Sequence, residues 1–205
     1  MKKLLIAIIL LNSCSSQKVL NTNYNPVMID GNINKSEWAD SKTIDIQSNY
    51  TLYLKQDSKY YYLAIKSKTK TPFYVDMFVF INQNLYNIHS SSQKGERILT
   101  GKEWTDRAPT TNWGYINNWT SNTVKFDRTK MRKLKKEGFK GNISLESIHA
   151  YDGFEHQFLK EKWKLNKAKI RIEMRNMVGL EDFKETIFPA ETSRNNNEKW
   201  LELKF

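Results

Sequence analysis

Four aromatic residues lie close together in one polar segment of the sequence. The segment runs from Gly101 to Asn122 and reads GKEWTDRAPTTNWGYINNWTSN. An aromatic ring covers the C–H face of a sugar, while polar side chains beside it can bond the hydroxyl groups at the sugar's edge. The segment therefore predicts a carbohydrate-binding site with these members: Trp104, Trp113, Tyr115, Trp119, Glu103, Asp106, Arg107, Asn112 and Asn117.

The same tryptophans also have a structural interpretation. A long loop between strands is ordered only if some of its side chains pack onto the domain. Trp104, Trp113 and Trp119 could fold this segment back onto the core and be buried there. On the sequence alone, ligand contact and burial both stay open.

Other reactive residue types give weaker patterns. The three histidines, His89, His149 and His156, have no cysteine or carboxylate at metal-ligand spacing, so no metal site is predicted. The serine run at 90–92 lacks a nucleophile-elbow sequence. Carboxylate pairs such as Glu103 with Asp106 occur in any chain of this acidity. We therefore expect no catalytic residues and no enzymatic activity.

The first residues predict export. Lys2 and Lys3 precede an apolar run from Leu4 to Leu11, which is the layout of a signal peptide and is too short to span a bilayer. The run ends in Leu11-Asn12-Ser13-Cys14, which resembles the lipobox of bacterial lipoproteins. This resemblance implies a signal peptide over residues 1–13 and lipidation at Cys14. Cys14 is the chain's one cysteine, so an intramolecular disulfide is excluded.

The organisation that follows is a tether and one domain. Residues 14–25 are rich in Ser and Asn and predict a flexible tether, and residues 26–205 predict a single folded domain. No acidic cluster follows Cys14, so we expect a lipoprotein of the outer membrane that faces the periplasm. Its partners would be the lipid bilayer, a saccharide or glycan, and an envelope protein.

The charge is strongly basic, with 33 Lys and Arg against 22 Asp and Glu. Such a surface attracts anions, but export and the lack of a nucleic-acid motif exclude nucleic acid as the partner. A helix is predicted from Asp127 to Glu137, ended by Gly138. Its basic run is either a solvated face or a surface that docks on anionic lipid or acidic glycan, and it consists of Arg128, Lys130, Arg132, Lys133, Lys135 and Lys136.

Most of the domain alternates between apolar and polar residues, which is typical of strands. The clearest strands are Phe73 to Ile81, Ile170 to Arg175 and the last residues, Trp200 to Phe205. Further strands are predicted at 27–30, 43–47, 50–55, 60–66, 85–90, 122–126, 145–151 and 154–159, with a short helical turn at 36–40. Many strands and few helices predict an all-β fold, a β-sandwich of immunoglobulin-like type with one or two short helices.

Short motifs at both ends of the domain carry a family resemblance. Ile29-Asp30-Gly31, Ser36-Glu37-Trp38-Ala39 and the strand that begins at Tyr60 resemble the opening of family 9 carbohydrate-binding modules and DOMON-like domains. Asp152-Gly153-Phe154-Glu155 and the final strand follow in the same order. The resemblance implies a β-sandwich that binds sugar between tryptophans.

Cofactors enter only through this resemblance. Such modules can carry structural calcium, here from carboxylates such as Asp30, Asp57 or Asp152, and some DOMON-like relatives bind haem through Met and His. The spacing of residues shows neither, so no cofactor is predicted. The residue types of the opening motif favour a structural role over a binding role: Gly31 permits a turn, Trp38 packs under the sandwich edge and Glu37 pairs locally.

Two functions are consistent with the sequence. The first is a non-catalytic carbohydrate-binding lipoprotein of the cell envelope, in which loop tryptophans hold a saccharide. The alternative is a structural or partner-docking lipoprotein that keeps the sandwich without a sugar site, since Trp and Tyr also form protein interfaces.

Overall fold

A computed structural model describes residues 27–69, 72–106, 118–138, 140, 148–149, 151–176 and 185–205. The predicted signal peptide, Cys14 and the tether lie outside the described residues, as does most of the strand predicted at 145–151.

The described residues form twelve strands and one α-helix. In chain order the strands are β1 (Lys42–Ile46), β2 (Tyr50–Gln56), β3 (Tyr60–Ser67), β4 (Phe73–Ile81), β5 (Asn84–Ser90), β6 (Lys94–Thr100), β7 (Glu103–Asp106), β8 (Trp119–Ser121), β9 (Gly153–Leu159), β10 (Lys169–Asn176), β11 (Glu185–Phe188) and β12 (Leu201–Glu202). The helix α1 spans Arg128–Lys136.

These strands make two packed antiparallel sheets. The first sheet has the order β1-β2-β3-β9-β8. The second has the order β11-β10-β4-β5-β6-β7, and β12 pairs with β10 beside β11. The prediction of an all-β sandwich with a short helix is confirmed.

Alternation along β4 separates the core from the outer face of the second sheet. Phe73, Val75 and Met77 are fully buried between the sheets. The intervening Tyr74 and Asp76 point to the outer face, because successive strand residues point to opposite sides. β10 follows the same rule beside β4, so the outer face of this pair combines the aromatic residues of β4 with the charged residues of β10.

A chain segment of residues 27–41 covers the outer face of the first sheet. Trp38 is buried there and forms a small apolar cluster with Ile33, Tyr62 and Ala64. The predicted packing of Trp38 is thus observed. Glu37 differs from the expectation, because its Oε2 atom is buried without a hydrogen bond in the described part of the chain.

One buried carboxylate fastens this segment. Glu155 on β9 accepts hydrogen bonds from the Trp38 indole N–H at 3.0 Å and from the backbone N–H groups of Asp30 at 3.0 Å and Gly31 at 2.8 Å. Gly31 has a φ of +89°, and a Cβ there would lie 2.7 Å from the side-chain nitrogen of Asn122. The two motifs that carry the family resemblance therefore meet in one structural contact.

The helix forms where the sequence predicts it. The Asp127 carboxylate caps it by accepting from the N–H groups of Thr129 and Lys130, both at 2.9 Å, and Gly138 follows with a φ of +96°. The helix contains no buried residue. No helix in the described residues has the length and apolar character needed to cross a membrane.

Some predicted elements differ from the structure. Residues 35–40 form turns and not a helix, and residues 27–30 and 122–125 form no strand. The reason at 122 is that the Asn122 side chain, and not a ladder partner, accepts from the Glu155 N–H at 2.7 Å. The strands β6, β7, β8 and β11 were not predicted, because β7, β8 and β11 have four residues or fewer and the sequence of β6 lacks a clear alternation.

Candidate functional site

A cavity of about 440 Å³ opens on the outer face of the second sheet. Neighbouring strands β10, β4, β5, β6 and β7 each supply at least one outward side chain to it. Its size falls within the usual range for small-molecule sites. The cavity is lined by Tyr74, Asp76, Phe78, Asn87, His89, Arg97, Trp104, Arg175 and Arg194.

Aromatic rings form one side of the cavity. Trp104 on β7 is 37% exposed, although it is a large apolar residue, and β7 holds it in place by pairing it with Leu99 of β6. The Trp104 ring meets the Phe78 ring edge-on, with 6.0 Å between centroids. Trp200 contacts Phe78 in the same manner at 6.4 Å. Trp104 thus offers an exposed ring that is supported from behind.

Arginines surround a buried glutamate on the opposite side. Glu173 on β10 is 1% exposed and accepts hydrogen bonds from Arg171, Arg175 and Arg194. Arg194 also lies over the Phe78 ring, with 4.9 Å from its central carbon to the centroid. A buried charge needs such partners, so Glu173 orients these guanidinium groups.

An aspartate and a histidine lie on the floor of the cavity. Asp76 Oδ1 is 3.0 Å from His89 Nδ1 and accepts from the Asn87 amide at 3.3 Å. Burial acts to raise the pKa of Asp76, but the hydrogen bonds from His89 and Asn87 and the electrostatic attraction of His89 and Arg175 together outweigh burial, so the pKa is lowered overall. Asp76 is therefore an ionised hydrogen-bond acceptor at neutral pH.

This arrangement suits a small polar ring. An exposed indole can stack on the apolar face of such a ring, and carboxylate, amide and guanidinium groups can bond its edge. The cavity places both kinds of group within one concave surface.

The structure separates the tryptophans that the sequence grouped together. Trp104 lines the cavity, whereas Trp119 on β8 is 4% exposed in the core. The Trp119 ring stacks on Phe158 at 6.0 Å, and its indole N–H donates to Glu96 at 3.0 Å. Trp119 is therefore removed from the candidate site, because the core between the sheets encloses it.

The other predicted site residues are distributed as follows. Glu103 is an exposed residue of β7, and Asp106 of β7 pairs in register with Arg97 of β6. The remaining members lie outside the described residues, namely Arg107, Asn112, Trp113, Tyr115 and Asn117.

Sequence reasoning missed most of the cavity. Asp76 and Arg175 were visible only as polar positions in predicted strands, and His89 was considered only as a metal ligand. Arg194 lies in no regular pattern. The available signal was the charged face of β10, which indicated solvent but not a site, because the matching face of β4 mixes aromatic residues with Asp76 and indicated a strand buried on both sides.

A serine and a histidine do meet inside the core. Ser90 Oγ lies 2.9 Å from both His156 Nε2 and Ser121 Oγ. Burial lowers the pKa of His156 to about 3, and the nearby charge of Lys94 adds to this effect. Ser90 and His156 are closed to solvent, so the pair contributes to packing and cannot meet a substrate.

The carboxylates considered for calcium each have protein partners. Asp30 accepts from Asn32 N–H at 2.8 Å, Asp57 accepts from Lys59 N–H at 2.6 Å, and Asp152 pairs with Lys66 at 3.1 Å. Within the described residues, no three His, Cys, Asp or Glu side chains are grouped so that they could hold a metal.

No family model matches this sequence, and no curated protein or solved structure is significantly similar to it. The likeness to family 9 carbohydrate-binding modules and DOMON-like domains stays a prediction from motifs. A β-sandwich by itself assigns no activity, because the same architecture carries many functions. The chemistry of the cavity is the basis for the assignment that follows.

Proposed function

We propose that this protein is a non-catalytic carbohydrate-binding lipoprotein of the bacterial cell envelope, and that it holds a saccharide in the cavity beside Trp104. The observation that carries the proposal is an exposed indole fixed at the rim of a polar cavity. Exposed aromatic rings beside convergent polar groups are typical of ligand sites. The motif resemblance to carbohydrate-binding modules supports the same ligand class.

The state of the acidic groups favours binding over hydrolysis. A general acid in glycoside hydrolysis needs a raised pKa, so that it still carries a proton near neutral pH. The pKa of Asp76 is lowered, and the Glu173 oxygens are occupied by three guanidinium groups. Neither carboxylate is suited to deliver a proton.

The proposal is tested by titrating the full chain, purified in detergent, with a panel of neutral and acidic saccharides. Tryptophan fluorescence and calorimetry would report binding. Trp104→Ala should weaken binding about tenfold, since loss of an aromatic contact that contributes about 1.4 kcal/mol corresponds to that factor. The matched control is Tyr60→Ala, which removes a half-buried ring from the other sheet and should leave binding unchanged.

The carbohydrate assignment can be contradicted by the same measurements. If no saccharide binds and Trp104→Ala lowers the melting temperature, the indole is a structural or partner-docking residue and the carbohydrate assignment is wrong. A copurifying envelope protein that shields Trp104 would point to the docking alternative.

A further inference from the structure

The helix α1 is strongly basic and has no buried residue. Six of its nine residues are cations, none is acidic, and all six cations are exposed. The half-buried Met131 and Leu134 lie on one side of it. Packing therefore does not account for the helix.

The cations also repel one another. Arg128 and Arg132, and Arg132 and Lys136, are four residues apart, and like charges at that spacing destabilise a helix. Among the described residues, the ion pair of the helix is Lys133 with Glu137, at a long 3.9 Å. The helix therefore carries concentrated positive charge that an external anion would stabilise.

The helix lies close to where the N-terminal segment joins the domain. A Cβ at Gly31 would touch the side chain of Asn122, and the Gly31 carbonyl accepts from Asp152 N–H at 2.7 Å. Asn122 precedes Arg128 by six residues, which extend at most about 20 Å. A membrane anchor at the N-terminus would therefore bring the same bilayer within reach of the helix.

Resting on the lipid anchor of the proposed function, we propose that α1 docks on the anionic lipid headgroups of the membrane that holds this anchor. The occupant is a bilayer surface, because an extended layer of phosphates can meet several exposed cations at once. Met131 and Leu134 stay with the protein, and the cations contact the headgroups. The contact acts as a second attachment beside the lipid anchor.

The test uses the full acylated chain reconstituted in two kinds of vesicle. One is neutral phosphatidylcholine, and the other is phosphatidylcholine mixed with anionic phosphatidylglycerol. Flotation of the protein with both kinds of vesicle shows that the lipid anchor is inserted. Amide hydrogen exchange over residues 128–136 shows whether the helix contacts the membrane. Exchange should slow at least about tenfold in the anionic vesicles only, and about 1 M salt should remove the effect.

Charge reversal provides the matched control. K130E/K133E/K136E should abolish the protection by anionic vesicles while the chain still floats. K164E/K167E/K199E makes the same change in net charge at exposed lysines outside the helix and should keep the protection. Equal exchange in both vesicle types, or equal loss in both triple variants, would overturn the proposal. Loss of flotation on neutral vesicles would instead contradict the anchor.

Discussion

Glu155 links two parts of the chain that are more than a hundred residues apart. Burial raises the pKa of its carboxyl, although the hydrogen bonds from Gly31 N–H, the Trp38 indole and Asp30 N–H oppose the rise. A carboxyl with a raised pKa in the folded state costs stability as pH rises above its ordinary value of 4.5. The Trp38 N–H offsets part of this cost.

Trp38→Phe should therefore destabilise the protein in a pH-dependent way. The substitution keeps an aromatic ring in place, but the buried carboxylate of Glu155 loses the indole N–H as a hydrogen-bond donor. This should lower the free energy of unfolding by about 1–3 kcal/mol near neutral pH. The loss should shrink towards pH 4, where the carboxyl of the folded protein, whose pKa is raised above 4.5, is mostly protonated. Urea unfolding at both pH values would measure it. Trp200→Phe is the control, because its indole donates to the neutral Ser193 carbonyl, so its cost should not vary with pH.

His156 should make the protein acid-sensitive. Its pKa is lowered to about 3, so between about pH 6.5 and pH 3 the unfolded chain binds a proton that the folded chain does not. Stability should fall as pH drops through this window, by up to about 1.4 kcal/mol per pH unit. His156→Gln should flatten that dependence, while His149→Gln, at an exposed residue, should not. Parallel pH profiles for the two variants would contradict the assignment.

Single residues were predictable where local chemistry decides their role. Trp38 was expected to pack and Asp127 to cap a helix, and both do so. The acceptor for Trp38 could not be found in advance, because Glu155 reaches it only through the pairing of distant strands. Trp104 and Trp119 look alike in sequence, and only the sheet pairing sends one to the surface and the other to the core.

The elements depend on a few close backbone contacts. Gly153 begins β9 beside β3, and a Cβ there would lie 1.9 Å from the Ile65 carbonyl oxygen. Such a distance is below any van der Waals contact, so the two strands could not keep their separation.

Gly153→Ala should therefore lower the free energy of unfolding by about 1–3 kcal/mol, which is the usual cost of overpacking. In a domain of this size that corresponds to a drop in melting temperature of roughly 2–4 °C per kcal/mol. Gly138→Ala is the control variant, because its Cβ would meet no described atom within 4 Å. Its cost would be the backbone strain of a positive φ at the end of the helix. Equal melting temperatures for the two variants would show that the strands adjust.

Long strands with regular alternation were located best, whereas the alternating segment from Trp200 to Phe205 forms a strand over Leu201–Glu202 and not over its whole length. β4 matches its predicted bounds and β10 nearly does, because both carry long runs of apolar residues at every second position. β7 and β8 were taken for loop, since four and three residues are too few to show a period. The cavity could not be predicted either, because Tyr74 and Arg175 are neighbours only through the register of β4 and β10.

At the scale of the whole molecule, the sandwich was predictable and the cavity was not. Export and lipidation stay predictions that rest on the first residues. Cys14→Ser should move the chain out of the membrane fraction and abolish incorporation of an alkyne-labelled fatty acid, whereas Ser15→Ala should do neither. Membrane retention of the Cys14→Ser variant without label would contradict the lipid anchor.

The segment of residues 27–41 gives the two outer faces of the sandwich unequal roles. Residues 27–41 cover part of one face, and the cavity beside Trp104 opens on the other. The described chain therefore begins on the side opposite the cavity. The segment of residues 27–41 therefore does not compete with a ligand for the cavity, and a longer saccharide would meet this segment only by reaching the opposite face of the sandwich.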